Sequence, residues 1–149
     1  MIGTPRFPDM LVLVADQSEF TRRIVRDTLR IAGVKRFIDA ADGPSVIKTT
    51  LRSGPDMLIL SDDLPHLPGI EVARALRRVP NFQVPILLMT AQPSPELIDS
   101  ALDVGIRDMV SKPLTHSALW TRVDSIVKSG RIDWSKGEMP LMRELLRRR

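Results

Sequence analysis

Cysteine and tyrosine are absent from the 149 residues, and only two tryptophans and four phenylalanines are present. The missing thiols exclude a disulfide framework, a thiolate metal site and a cysteine nucleophile. No apolar run approaches the roughly 20 residues of a membrane-spanning helix. Pro5 and Pro8 interrupt the start, where a signal peptide needs an unbroken apolar helix. A cytoplasmic protein with no membrane span is therefore expected. Internal repeats and low-complexity tracts are lacking too, which removes solenoids from consideration.

Charge is the first positive signal. The chain has 22 basic and 18 acidic residues. Lys128, Arg131, Lys136, Arg143, Arg147, Arg148 and Arg149 face only Asp133, Glu138 and Glu144 over the same stretch, so the entire net charge of +4 sits from position 128 onward. This is the pattern of a neutral domain carrying a basic arm.

Within the neutral part, five short apolar runs alternate with five amphipathic stretches. Residues 10–15 are continuously apolar, then Ser18 is placed to cap a helix that carries Ile24, Val25, Leu29 and Ala32 and stops at Gly33. Residues 37–41 form a second strand, ended by Asp42-Gly43, and Pro44 begins a helix broken at Gly54-Pro55. Residues 57–60, four apolar residues in a row, predict a strand buried on both faces. A polar loop containing Pro65 and Pro68 follows it, then a third helix with Ile70, Val72, Ala73 and Leu76 on one face, Arg74, Arg77 and Arg78 opposite, and a stop at Pro80. Residues 84–90 predict the fourth strand. Ser94 and Pro95 open the fourth helix, which ends near Gly105, and residues 108–111 give a short fifth strand. Thr115 caps a last helix with Leu119, Trp120, Val123, Ile126 and Val127 on its buried stripe.

The expected fold class is therefore α/β, a doubly wound five-stranded parallel sheet of order 2-1-3-4-5 with a basic C-terminal extension. The boundaries are an N-terminal arm over 1–9, the domain over 10–128 and an arginine-rich tail over 129–149. In such sheets ligands meet the carboxyl ends of the strands. Those ends here present Ala15, Asp16, Ser61, Asp62, Thr90 and Lys112.

Four stretches in this order, residues 11–16, 55–60 running on to 64–69, 85–91 and 110–114, resemble the CheY-like receiver domain of two-component response regulators, over roughly residues 10–127. The resemblance implies a phosphorylation site. Two acids after the first strand hold Mg²⁺, an aspartate ending the third accepts a phosphoryl group, and a Thr or Ser and a Lys bind its oxygens. Thr90, Lys112 and Pro113 match that pattern, and Asp16 matches the second acid. Ala15 stands where the first acid belongs. Counting back four from Pro65 puts Ser61 at the acceptor position, and a serine cannot form the acyl phosphate. Met109 occupies the aromatic switch position. The site is thus expected to be degenerate, a pseudo-receiver with no resident cofactor and no Mg²⁺. The competing alignment keeps Asp62 as phosphoacceptor, which requires the third strand to slip or bulge by one residue. Lys112, lacking a phosphoryl partner, is expected to pair with Asp16 or Asp62. Ser61 has no histidine base or oxyanion-hole motif nearby in sequence, so enzymatic hydrolysis is not expected. His66 and His116 are expected to be solvated.

In the tail, Leu141, Met142, Leu145 and Leu146 would line one side of a helix, with Arg143 and Arg147 one turn apart on another. Guanidinium groups bind phosphate bidentately, read the guanine O6/N7 edge and stack on bases. Trp134 adds a stacking surface, and Asp133 and Glu138 could accept from guanine N1 and N2. This arrangement resembles the Cle group of CheY-like proteins, which bind cyclic di-GMP through an arginine-rich extension and act at the flagellar motor. The resemblance implies Arg131, Asp133, Trp134, Arg143, Arg147 and Arg148 as ligand contacts. It also implies a chemotaxis-type protein target such as the flagellar motor switch. For docking, the family's usual fourth-helix, fifth-strand and fifth-helix face would offer Met109 and Trp120. A phosphorylation-independent adaptor remains an alternative, and so does a tail that only supplies charge. Nucleic acid is the weaker candidate partner, because the neutral domain offers no reading motif.

Overall fold

The structure, a computed structural model, describes residues 9–130 and 132. Its elements run β1 (Leu11–Ala15), α1 (Glu19–Ile31), β2 (Arg36–Ala40), α2 (Gly43–Ser53), β3 (Met57–Ser61), α3 (Gly69–Arg77), β4 (Ile86–Thr90), α4 (Pro95–Asp103), β5 (Asp108–Ser111) and α5 (His116–Lys128). All strands are parallel, in the order β2-β1-β3-β4-β5. The fold class expected from the sequence is the one observed. β2 begins and ends one residue earlier than its apolar run suggested, because Arg36 pairs with Leu11 and Ala40 with Ala15. Apart from Ser129, Gly130 and Ile132, the tail, including the anticipated helix over 141–149, lies outside the described residues.

The two-residue period of the central strands divides the core. Val12, Val14, Met57, Ile59, Leu87, Met89 and Val110 face the layer of α1 and α5, where Val25, Leu29, Leu119, Val123 and Ile126 cover them. Leu13, Ala15, Leu58, Leu60, Ile86 and Leu88 face the other layer, against Val46, Val72, Ala73, Leu76 and Ala101. Both faces are covered, so the apolar runs lack alternation with polar residues. Ile132, just past α5, is buried in the α1/α5 layer. No helix among the described residues is long and apolar enough to cross a membrane.

Local chemistry sets the helix starts. Ser18, Asp42, Ser94 and Thr115 each accept from a backbone amide three residues on, at Thr21, Ser45, Leu97 and Ala118. α3 has no side-chain cap; the Gly69 amide instead donates to the Asp62 carbonyl at 3.0 Å. Arg77 departs from the expectation that it lies opposite the buried face of α3. Its guanidinium is half-buried and donates to the carbonyls of Val84, Val104 and Gly105 at 3.0–3.2 Å, stacked over Phe82. The long aliphatic stem let a residue on the flank of the helix reach inward.

Two glycines fix the loop that follows β3. A Cβ on Gly43 would lie 2.1 Å from the Leu67 carbonyl oxygen, and one on Gly69 would lie 2.4 Å from the Ser61 carbonyl oxygen. Backbone occupies both places, so a methyl group forces the loop outward. Gly69→Ala should lower stability by about 1–3 kcal/mol through overpacking. Urea unfolding would record this as a lower midpoint, and an unchanged midpoint would contradict the close approach.

Candidate functional site at the carboxyl edge of the sheet

Strand alternation decides which polar side chains meet. Ser61 shares parity with Ile59, facing the α1/α5 layer, and Lys112 shares parity with Val110 on the same side. The Lys112 ammonium donates to Ser61 Oγ at 2.9 Å. Asp62 and Thr90 share the parity of Leu60 and Leu88, and Thr90 Oγ1 donates to Asp62 Oδ2 at 2.7 Å. The register of β3 against β4 runs unbroken from Leu58–Ile86 to Ser61–Met89. β3 therefore has no bulge that would bring Asp62 to the position Ser61 holds.

Lys112 is the hub. It sits just past β5, before a cis Lys112-Pro113 bond, and its amide donates to the Thr90 carbonyl at 2.7 Å. Its ammonium makes an ion pair with Asp16 Oδ2 at 2.6 Å and lies 3.9 Å from Asp63 Oδ1. Of the two partners the sequence offered, Asp16 is taken; Asp62 goes to Thr90 because it points to the other side. Asp16 is 3% exposed, and its second oxygen accepts from the Ser18 amide at 2.8 Å. Ser61 is fully buried, and its hydroxyl donates to Asp63 Oδ1 at 2.5 Å. Asp63 was not singled out in the sequence, although its place two residues past Ser61 puts it on the same side of the chain. The Gln92 amide donates to Thr90 Oγ1 at 3.0 Å, so that hydroxyl both donates and accepts.

Arg22 braces the rim. It donates to the Asp16 carbonyl at 2.5 Å and to Asp39, and with Arg26 it clamps Glu19. Hydrogen bonds from Arg26 and then Arg22 hold the Glu19 carboxyl below its ordinary value. His66 is exposed, as expected, in the loop after β3. His116 is exposed but not simply solvated: its Nδ1 meets the hydroxyl of Thr28. Since that hydroxyl donates to the Ile24 carbonyl at 2.8 Å, Nδ1 is the donor.

The chemistry open to this cluster is narrow. Both Asp16 oxygens are committed, Ala15 offers no oxygen, and Ser61 supplies a hydroxyl already hydrogen-bonded on both sides. Among the described residues no group of three or more His, Cys, Asp or Glu side chains is arranged to hold a metal ion. The donor set does not fit Mg²⁺, which prefers carboxylates with room for retained water. The serine and lysine adjoin, but the ammonium donates to Ser61 while paired to buried Asp16, the reverse of a base that takes the serine proton.

The docking residues divide. Met109 lies half-buried in a groove of about 320 Å³ between α4 and α5, with Ile98 and Leu102 on its α4 wall. Trp120 packs instead against the α1/α5 core. Arg131, Asp133, Trp134, Arg143, Arg147 and Arg148 all lie outside the described residues.

Comparison with known proteins follows the same geometry. The family profile of the response regulator receiver domain matches residues 12–124. Chemotaxis protein CheY of Pseudomonas aeruginosa is 28% identical over 118 residues, covering 78% of this chain and 95% of that protein. CheY-3 of Vibrio cholerae is 27% identical over 119 residues, covering 79% and 92%. Among solved structures, the chemotaxis response regulator CheY4 of Vibrio cholerae superimposes with a TM-score of 0.73 at 28% identity, over 78% of this chain and 98% of that one.

Lys112→Met keeps the side-chain length and removes the charge. It strands a buried carboxylate at Asp16 and should cost about 3 kcal/mol, the lower end for breaking a buried pair because the ammonium is partly solvated. Lys112→Arg should recover part of the loss. A Met variant as stable as the native chain in urea would show that the pair is not structural.

Proposed function

The chain belongs to the response regulator receiver family, and from that premise we propose that it is a non-enzymatic signalling domain whose phosphoryl switch has been replaced by a ligand-binding tail. In this reading Ser61 is not a phosphoacceptor. Cyclic di-GMP binds the arginine-rich tail, and the domain docks on a protein target such as a flagellar motor switch protein. The single observation that carries the reading is the Ser61 hydroxyl at the end of β3, hydrogen-bonded to Lys112 where the family's phosphoryl-accepting carboxylate would stand. A receiver without an acceptor needs another input. The excess positive charge, confined to residues 128–149, is the chemistry that a doubly charged guanine dinucleotide would use.

Asp62 as phosphoacceptor is the second reading, and one observation favours it: the Thr90 hydroxyl, which in the family binds the phosphoryl group, is directed at Asp62. Against it stand the unbroken β3–β4 register and the engagement of the Lys112 ammonium with Asp16 and Ser61. A carboxylate at Asp62 would have the hydroxyl without the ammonium, half of the phosphoryl-binding pair.

Titration calorimetry with cyclic di-GMP is the test. The full chain should release heat with saturable stoichiometry, and Arg143→Ala/Arg147→Ala should weaken binding at least about tenfold, as expected when charge-assisted bidentate contacts are lost. Absence of heat with the native chain would sink the nucleotide reading and leave the protein-adaptor alternative.

A further inference from the structure

α1 and α2 leave Phe20, Ile31 and Leu51 exposed, but only on α4 do two exposed large apolar side chains sit one turn apart. Ile98 and Leu102, one turn apart, are 46% and 57% exposed, and they form one wall of the groove whose floor is Met109 and whose opposite wall includes Arg122 of α5. Beside that apolar pair run the acids of the helix. Glu96, Asp99 and Asp103 are exposed, α4 has no basic residue, and none of the three acids has an ion-pair partner among the described residues. A row of unpaired carboxylates flanking exposed aliphatic side chains is a surface shaped for a basic amphipathic helix.

The chain carries such a segment, and it starts close by. Ile132 lines a second cleft, under the start of β5, and Arg107 lines both that cleft and the α4–α5 groove. Eight residues separate Ile132 from Leu141, and at about 3.3 Å each they can reach roughly 26 Å. The nine residues of α4 extend only about 14 Å. The pattern of residues 141–149 matches the groove on both flanks. Wound as a helix, Leu141, Met142, Leu145 and Leu146 make one apolar arc, entered only by the terminal Arg149, with Arg143 and Arg147 along one edge and Glu144 with Arg148 along the other. The first edge complements Asp99 and Asp103, and Glu144 complements Arg122.

We propose that residues 141–149 of the chain dock as a helix in the α4–α5 groove, covering Ile98, Leu102 and Met109. The face that would receive a protein target is then closed by the chain's own tail. Arg143 and Arg147 cannot serve Asp99 and Asp103 and a bound phosphate at once. Resting on the nucleotide reading above, cyclic di-GMP therefore competes for these arginines and uncovers the groove.

Amide hydrogen exchange over Pro95–Asp103 in the full chain tests this. Leu141→Asp/Leu145→Asp should speed exchange of α4 about tenfold by removing the cover. Asp99→Arg/Asp103→Arg should do the same, and combining it with Arg143→Asp/Arg147→Asp should restore the slow exchange. Equal α4 exchange in the native chain and the Leu141→Asp/Leu145→Asp variant overturns the proposal. So does protection that grows with protein concentration, which would assign the groove to a second copy. Adding cyclic di-GMP to the native chain separates the two claims. Heat of binding without faster α4 exchange overturns the release step, while charge-swap rescue without any heat of binding supports docking and removes the nucleotide.

Discussion

The carboxyl edge of the sheet depends on one ammonium group. Lys112 joins Asp16 after β1 to Ser61 on β3, and its own amide ties the end of β5 to Thr90 on β4. Buried Asp16 has no other cation within ion-pair distance among the described residues, so this bridge is what allows a carboxylate there at 3% exposure. With the lysine so engaged, the Ser61 hydroxyl donates a hydrogen bond to Asp63 and the Thr90 hydroxyl donates one to Asp62. Each polar group at the edge is satisfied by a neighbour in the same chain. The buried carboxylate of Asp16, the Ser61 hydroxyl and the Lys112 ammonium are thus engaged with one another.

Most of the fold was legible because its physics is local. Apolar stretches bounded by Gly, Pro and Asp punctuation marked the strands, continuous in β1 and β3 and shorter in β2 and β5, and Ser18, Ser94 and Thr115 marked helix starts that their hydroxyls indeed cap. Counting from Pro65 placed Ser61 at the strand end, where β3 does stop. What escaped the sequence is what depends on three-dimensional reach. Arg77 looks like one more solvated arginine on a helix flank until its stem is seen to carry the guanidinium to three carbonyls 7, 27 and 28 residues away. His116 finds Thr28 across 88 residues. Asp63 was passed over because its role depends on a hydroxyl at the residue that the family occupies with an acid. Met109 and Trp120 were grouped as docking anchors by position on adjacent elements, yet Met109 on β5 faces one layer while the helical face of α5 that carries Trp120 packs in the other.

The same layering accounts for the apolar row that α4 leaves open. On the α1/α5 side, the helices pack on each other and Ile132 extends the cover past α5. α4 packs mainly through Leu97, Ala101 and Val104, leaving the next row of its surface to Ile98 and Leu102. Exposed Ile98 and Leu102 beside a half-buried methionine, with the acids of α4 unpaired among the described residues, make this groove a surface suited to association. The input and the output of the domain would then share a few arginines, with no need for a conformational change at β3.

The central claim is that Ser61 closes the phosphoryl route. Intact-mass spectrometry of the full chain after incubation with Mg²⁺ and acetyl phosphate, followed by hydroxylamine mapping of any acyl phosphate, addresses it directly. The account predicts an unchanged mass. A hydroxylamine-sensitive phosphoryl adduct on Asp62 would contradict it.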